Sequence, residues 1–170
     1  MLVDGKRSHD SLRDMAVRLA SRGDPGERLR QALAKDELTL YCQPIASLAD
    51  GNFPLAEVLV RLREEEKALL PPGEFLPVFE QYGLMPDLDL WVVRNVIRHI
   101  SRGSRVPRFS INISSQSLQS DAVPKAVAVE LVSAEVSGTR LLFEIDEADS
   151  LARLEAAKKF ARAIRTEVEE

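Results

Sequence analysis

The sequence predicts an α/β protein with a mostly parallel sheet. Four segments rich in strand-forming residues alternate with helical segments, and the last two strands are each followed by a helix. Such βα units connect by right-handed crossovers and build parallel sheets. The link between the first two strands is too short for a crossover, so an antiparallel hairpin is expected there. A chain of 170 residues has the length of one domain.

The domain is expected over residues 24–170. Residues 1–23 are polar and weakly patterned, and we interpret them as an N-terminal arm or linker. The first helix is predicted to begin in the segment PGER, directly after Asp24. Asp24 suits the N-cap, Pro25 suits the first helical position and Glu27 the third, which together form a capping-box arrangement.

A hairpin and two helices are predicted next. Residues 38–45 (LTLYCQPI) and 55–62 (LAEVLVRL) are rich in strand formers and form the two strands of the hairpin. Helical patterns follow over 72–81 and 87–100, each with a glycine shortly after its end. Asp87 is expected to cap the second of these helices.

The second half of the chain predicts two βα units. Residues 108–114 (RFSINIS) and 141–147 (LLFEIDE) form the strands. The helix after the first strand is expected to be capped by Ser115 or Asp121. The final helix is predicted from an apolar stripe with steps of three and four residues: Leu154, Ala157, Ala161, Ile164 and Val168.

Composition excludes several classes of protein. The formal net charge is −4, which offers no electrostatic attraction to nucleic acid or to an anionic membrane. No apolar run is long enough to span a bilayer, and no apolar segment follows the charged N-terminus as in a secretory signal. We therefore expect a cytoplasmic protein without nucleic-acid or membrane partners. The single cysteine, Cys42, cannot form an internal disulfide and is expected to be a small core residue.

Three predicted strands carry a polar residue among apolar neighbours. These residues are Glu57, Asn112 and Glu144. Parallel strands that are buried on both faces are normally continuous apolar runs, so a carboxylate there needs a partner or a cation. If the three faces point to one interior, the oxygen ligands would suit Mg²⁺ or Mn²⁺. The alternative is that Glu57 pairs with Arg61 or another arginine, that Asn112 satisfies loop backbone, and that no ion binds.

Several segments together resemble the EAL family of bacterial cyclic di-GMP phosphodiesterases. The segments LYCQPI, AEVLVRL, LLPPGEFLPVFEQYGL, FSINISSQSL and LLFEIDEAD occur in the family's order and spacing, over residues 26–168. The resemblance implies a modified TIM barrel whose first strand is antiparallel, here as a partial (β/α) barrel with four strands. It also implies a site that binds Mg²⁺ or Mn²⁺ and cyclic di-GMP.

The resemblance assigns roles to individual residues. It implies metal ligands at Glu57, Asn112 and Glu144. It places Glu147 near the site as the second glutamate of the family's E-x-x-E segment. The residues that it assigns to contacts with the substrate are Gln43, Leu59 and Arg61, the last a guanidinium suited to a phosphate.

The sequence also departs from the family pattern. Val58 stands where the EAL motif has alanine, a change that often accompanies lost activity in this family. The family's aspartate pair, its catalytic lysine and its later glutamate do not occur after Glu144. A full barrel needs eight strands and typically about 250 residues. We therefore expect a truncated, degenerate EAL domain that is not an enzyme by itself but a signalling, regulatory or protein-interaction module.

One alternative function is an active phosphodiesterase that is completed by another chain or by residues beyond this sequence. A purely structural partner domain is a second alternative. Weak or absent binding of cyclic di-GMP is expected, because half of the phosphate contacts of the family are missing. The strand LLFEIDE would leave an open sheet edge, which predicts a homodimer or a complex with another protein.

Overall fold

The computed structural model describes residues 24–63, 69–70 and 72–169. The arm predicted over residues 1–23 lies outside them. The strands are β1 (Leu38–Ile45), β2 (Leu55–Arg63), β3 (Leu69–Leu70), β4 (Arg108–Asn112) and β5 (Leu141–Glu144). The helices are α1 (Pro25–Ala34), α2 (Pro72–Gln81), α3 (Met85–Ser101), α4 (Ser115–Leu118), α5 (Ala122–Ser133), α6 (Glu147–Ala152) and α7 (Leu154–Glu169), with a 3₁₀ turn at Gly138–Arg140.

The sheet has the order β1-β2-β4-β5, and β3 pairs with β2 at the side of this path. β1 is antiparallel to β2, as the short link predicts. β2 runs parallel to β4, and β4 runs parallel to β5. The predicted mixture of one hairpin and two βα units is confirmed. The two-residue strand β3, antiparallel to β2, is an addition that the sequence pattern did not indicate.

Helix starts follow local capping chemistry where it is strong. The Asp24 carboxylate accepts hydrogen bonds from the backbone N–H groups of Gly26 and Glu27, at 3.4 and 3.1 Å, and Pro25 begins α1 as predicted. Asp87, in contrast, lies in the first turn of α3, because that helix begins two residues earlier at Met85. An acidic side chain is favoured at either place, since both lie at the positive end of the helix dipole.

Two helices occupy the segment where one was predicted after β4. Ser114 caps α4, with its hydroxyl accepting from the Ser117 backbone N–H at 3.2 Å. The prediction of a cap at Ser115 is therefore wrong by one residue. Asp121 precedes α5 but makes no capping hydrogen bond; its carboxylate instead pairs with Lys159 at 2.8 Å.

The end of the chain also differs from the predicted pattern. β5 ends at Glu144 and helix α6 begins at Glu147, so the predicted strand 141–147 is too long. The predicted stripe of α7 is wrong in part: Ala157 is buried, but Leu154 and Ala161 are exposed. The buried partner that the pattern missed is Phe160, whose ring meets that of Phe143 on β5 edge to face at 6.2 Å.

The described residues divide into two compact units, each with its own apolar core. One consists of residues 24–39, 60–63, 69–70 and 72–85, and its core includes the edge-to-face pair Phe75 and Phe79. The other consists of residues 40–59 and 86–169. Its buried side chains include Val93, Val96, Phe109, Ile111, Val123, Val127 and Leu131.

Candidate functional site

Three adjacent strands, β2, β4 and β5, carry the predicted metal ligands, and all three ligands lie in the second unit. Glu57 on β2 lies opposite Ser110 on β4, and Asn112 on β4 lies opposite Glu144 on β5. Residues at matched positions of parallel strands project to the same side, and side chains two apart on a strand share a face. Glu57, Asn112 and Glu144 therefore lie on one face of the sheet, and their role as ligands stays a prediction.

One hydrogen bond joins two of the three. The Asn112 side-chain amide donates to Glu57 Oε1 at 3.4 Å. Asn112 and Glu144 are the last residues of their strands and are exposed, whereas Glu57 is half-buried. Just beyond them, the Ile113 N–H donates to the Glu144 carbonyl at 2.8 Å and continues the ladder by one residue. Asn112 and Glu144 thus lie at the carboxyl ends of parallel strands, where barrel enzymes place their chemistry, and Asn112 is hydrogen-bonded to Glu57 on β2.

The hydrogen bond described for the Glu57 side chain is the one from the Asn112 amide. Arg61 donates its Nη1 hydrogen to the carbonyl of Val60 at 2.7 Å. Because the one long hydrogen bond from Asn112 uses a single lone pair, the Glu57 carboxylate retains lone pairs that can bind a cation or water.

The donor set fits a hard divalent cation. Two carboxylates and one amide oxygen match the ligand preference of Mg²⁺ and Mn²⁺. Among the described residues, no group of three or more His, Cys, Asp or Glu side chains could hold a metal, so Asn112 would have to supply the third oxygen. On the same face, the hydroxyl of Ser110 is fully buried and has no hydrogen-bond partner. A hydroxyl without a partner beside Glu57 can donate a hydrogen bond to a water molecule held at such a site.

The residues that the resemblance assigns to substrate contact lie on β1 and β2. Gln43 is exposed on β1, while Leu59 and Arg61 are half-buried on β2. Glu147 is exposed as the first residue of α6. Their contacts with a nucleotide stay predictions. Cys42, predicted to be a core residue, is exposed, because β1 has exposed side chains from Tyr41 to Ile45 rather than one covered face.

Asp89 is a polar residue beside the site that the sequence reasoning missed. It lies on α3, is 5% exposed, and its Oδ2 accepts three hydrogen bonds. The donors are the Ser114 N–H at 2.9 Å, the Ser114 hydroxyl at 2.6 Å and the Ser117 hydroxyl at 2.7 Å. A signal was present in the sequence, because Asp89 falls between Leu88 and Val92 on the apolar stripe of an amphipathic helix.

Desolvation of the Asp89 carboxylate raises its pKa above 3.8, and the bonds from Ser114 and Ser117 oppose that rise only in part. A carboxyl group with a higher pKa in the folded state binds more protons folded than unfolded. The free energy of unfolding therefore falls as pH rises from 3.8 through the folded pKa. The effect of Asp121 on stability has the opposite sign. Its hydrogen bond with Lys159 lowers its pKa, so its contribution to the free energy of unfolding is lost as pH falls.

We expect Asp89→Asn to abolish the Asp89 contribution to this pH dependence. The unfolding free energy of the wild type minus that of the variant should decrease as pH rises through the window above 3.8, and then level off. Denaturant titrations at a series of acidic pH values measure this difference. Asp121→Asn is the matched control, for which the difference should instead increase with pH. A difference for Asp89→Asn that does not change with pH would contradict the raised pKa.

Within the described residues, no helix is both long and apolar enough to cross a bilayer.

A family model described as "EAL domain" matches residues 26–167. Three similar curated proteins illustrate the relationship. The cyclic di-GMP phosphodiesterase NbdA of Pseudomonas aeruginosa is 34% identical over 140 residues, which are 79% of this chain and 18% of that protein. The cyclic di-GMP phosphodiesterase PdeF of Escherichia coli is 30% identical over 134 residues (77% and 18%). An uncharacterized signaling protein of Caulobacter vibrioides is 32% identical over 154 residues (85% and 19%).

Solved structures give the same result for the fold. The FimX EAL domain of Pseudomonas aeruginosa, bound to c-di-GMP, has a TM-score of 0.75 and 32% identity, covering 82% of this chain and 57% of that one. The Xanthomonas citri FimX EAL domain in complex with c-diGMP has a TM-score of 0.75 and 25% identity, covering 83% and 56%. The chain thus spans less than a fifth of the three curated relatives and a little over half of each of these structures.

Proposed function

Because this chain belongs to the EAL domain family, we propose that it is a cyclic di-GMP signalling module that binds one divalent cation and does not hydrolyse the nucleotide by itself. The family and its α/β fold, a partial (β/α) barrel with an antiparallel first strand, are as the sequence motifs indicated. The observation that carries the proposal is the placement of Glu57, Asn112 and Glu144 on one face of adjacent strands. Relatives named as cyclic di-GMP phosphodiesterases, and FimX domains bound to c-di-GMP, support the choice of nucleotide.

The residues of this chain supply part of a phosphodiesterase mechanism. When bound, a divalent cation would polarise a phosphoryl oxygen and lower the pKa of water. Glu57 and Glu144 would contribute negative charge to that site, and Asn112 a neutral oxygen. Arg61 would bind a phosphate oxygen through its guanidinium, and Gln43 would hydrogen-bond the nucleotide.

Hydrolysis of a phosphodiester by two metal ions needs more groups than the residues named above. Two-metal displacement requires one ion at the attacking oxygen and another at the leaving oxygen. Three oxygen donors can hold one ion, and among the described residues no group of three or more His, Cys, Asp or Glu side chains provides a second metal site. We therefore propose that the 170-residue chain binds without turning over, and that a phosphodiesterase site is complete only when further residues join it.

The test combines an assay and a titration on the 170-residue chain. With Mn²⁺ or Mg²⁺ present, we expect no linear dinucleotide product from cyclic di-GMP. Calorimetric titration with cyclic di-GMP should give binding weaker than about 1 μM, a free energy of less than about 8 kcal/mol. Measurable linear product would favour the alternative of an active phosphodiesterase. Absence of any binding, of Mn²⁺ as well as of nucleotide, would favour a purely structural domain.

We also propose that the exposed apolar side chains of the sheet form a protein interface. Tyr41 and Ile45 on β1 are 47% and 42% exposed, and Leu142 on β5 is 37% exposed. β1 and β5 are the outer strands of the order β1-β2-β4-β5, and outer strands with unpaired backbone groups invite association with another chain. A homodimer, or a complex with a partner that completes the sheet, would bury them. Sedimentation analysis at micromolar concentration should show a dimer if the partner is a second copy, and a stable monomer would contradict that part of the proposal.

A further inference from the structure

The Asp89 carboxylate connects helix α3 to the turn that follows the ligand strand β4. Its Oδ2 accepts both the N–H and the hydroxyl hydrogen of Ser114, at 2.9 and 2.6 Å. It also accepts from the hydroxyl of Ser117, at 2.7 Å, in the first turn of α4. Asp89 is 5% exposed, so these hydrogen bonds are shielded from water and are strong, since the acceptor is charged.

The turn held by Asp89 is joined directly to the candidate ligands. Ser114 is the second residue after Asn112, and the residue between them, Ile113, donates its N–H to the Glu144 carbonyl at 2.8 Å. A fixed Ser114 backbone therefore limits the conformations of the carboxyl end of β4. It also limits where Asn112 presents its amide, which donates to Glu57 at 3.4 Å.

We infer that Asp89 is a positioning residue for the divalent-cation site, acting through Ser114 on the ligand Asn112. This inference rests on the proposed function. Groups that orient metal ligands from outside the coordination sphere typically cost about 10–100-fold in affinity when removed. The cation itself need not contact Asp89, since the carboxylate already accepts three hydrogen bonds in the described structure.

Three variants separate this role from a general contribution to stability. Asp89→Ala removes the acceptor of all three hydrogen bonds. Asp89→Asn keeps an oxygen of the same size and should restore part of the function. Ser117→Ala is the matched control. It removes the Ser117 hydroxyl, which donates to the same oxygen and accepts from the Ser114 hydroxyl at 3.2 Å, but it keeps the N–H and hydroxyl of Ser114 as donors to Asp89.

Two measurements are made at a temperature where circular dichroism shows each variant to be folded. In Mn²⁺ titrations, we expect Asp89→Ala to bind at least about tenfold more weakly than the wild type, and Asp89→Asn and Ser117→Ala to stay within about threefold. In nuclear magnetic resonance spectra of the metal-free protein, the Asn112 side-chain amide signal should shift or broaden in Asp89→Ala but not in Ser117→Ala.

The inference is overturned if folded Asp89→Ala binds Mn²⁺ like the wild type, or if Ser117→Ala weakens binding as much. Should Asp89→Ala fail to fold, Ser114→Ala removes one of the two Ser114 hydrogen bonds, and wild-type Mn²⁺ affinity in that variant overturns the inference as well. If the wild type binds no Mn²⁺, the proposed function fails; the Asn112 amide signal, which needs no metal, then still decides whether Asp89 positions that side chain.

Discussion

Phe109→Ala is expected to lower the free energy of unfolding by about 3–5 kcal/mol, the usual cost of removing a buried phenylalanine. Phe109 is 1% exposed on β4, and its ring lies edge to face with His99 of α3 at 5.7 Å. β4 is flanked by β2 and β5, so a cavity behind it would form next to the strand that carries Asn112. Denaturant titration followed by circular dichroism measures the loss.

Phe53→Ala is the matched control for this change, because Phe53 is 57% exposed in the link between β1 and β2. The same deletion of a ring should change the unfolding free energy there by no more than about 0.5 kcal/mol. If Phe109→Ala cost less than about 1 kcal/mol, the assignment of β4 to the centre of the core would be wrong.

Glu144→Gln is expected to weaken Mn²⁺ binding by about 100-fold or more. The substitution keeps the shape of the side chain but removes one negative charge. A neutral amide oxygen is a weaker ligand than a carboxylate for a hard divalent cation, which prefers charged oxygen ligands. Because Glu144 is exposed at the end of β5, the fold should tolerate the change, with an effect on the unfolding free energy within about 0.5 kcal/mol.

Glu155→Gln provides the control, since Glu155 lies on α7, its side chain is 86% exposed and it pairs with Lys158 on its own helix. This variant should bind Mn²⁺ like the wild type. Equal affinities for wild type and Glu144→Gln would contradict the proposed role of Glu144 as a metal ligand. A loss of affinity in both variants would indicate a general effect of protein charge, which screening by added salt would reveal.

Much of the fold follows from interactions between residues that are close in the sequence. The Asp24 cap and the Pro25 start of α1 need only the first turn of the helix. The hairpin of β1 and β2 follows from the shortness of their link. The order of strand and helix at β4 and β5 follows from runs of strand-forming residues that are each followed by a helical pattern. Such features are local and could therefore be predicted from the order of residues.

The sequence by itself determined the family, the order of strands and helices, and which three polar residues interrupt the strands. Only the tertiary structure decided that Glu57 and Asn112, 55 residues apart, come within hydrogen-bonding distance. It alone showed that Cys42 is exposed and that Asp89 is buried against serines 25 and 28 residues away. The physical reason is that burial and hydrogen bonding across the fold depend on which distant segments pack together, whereas caps and turns depend on a few consecutive residues.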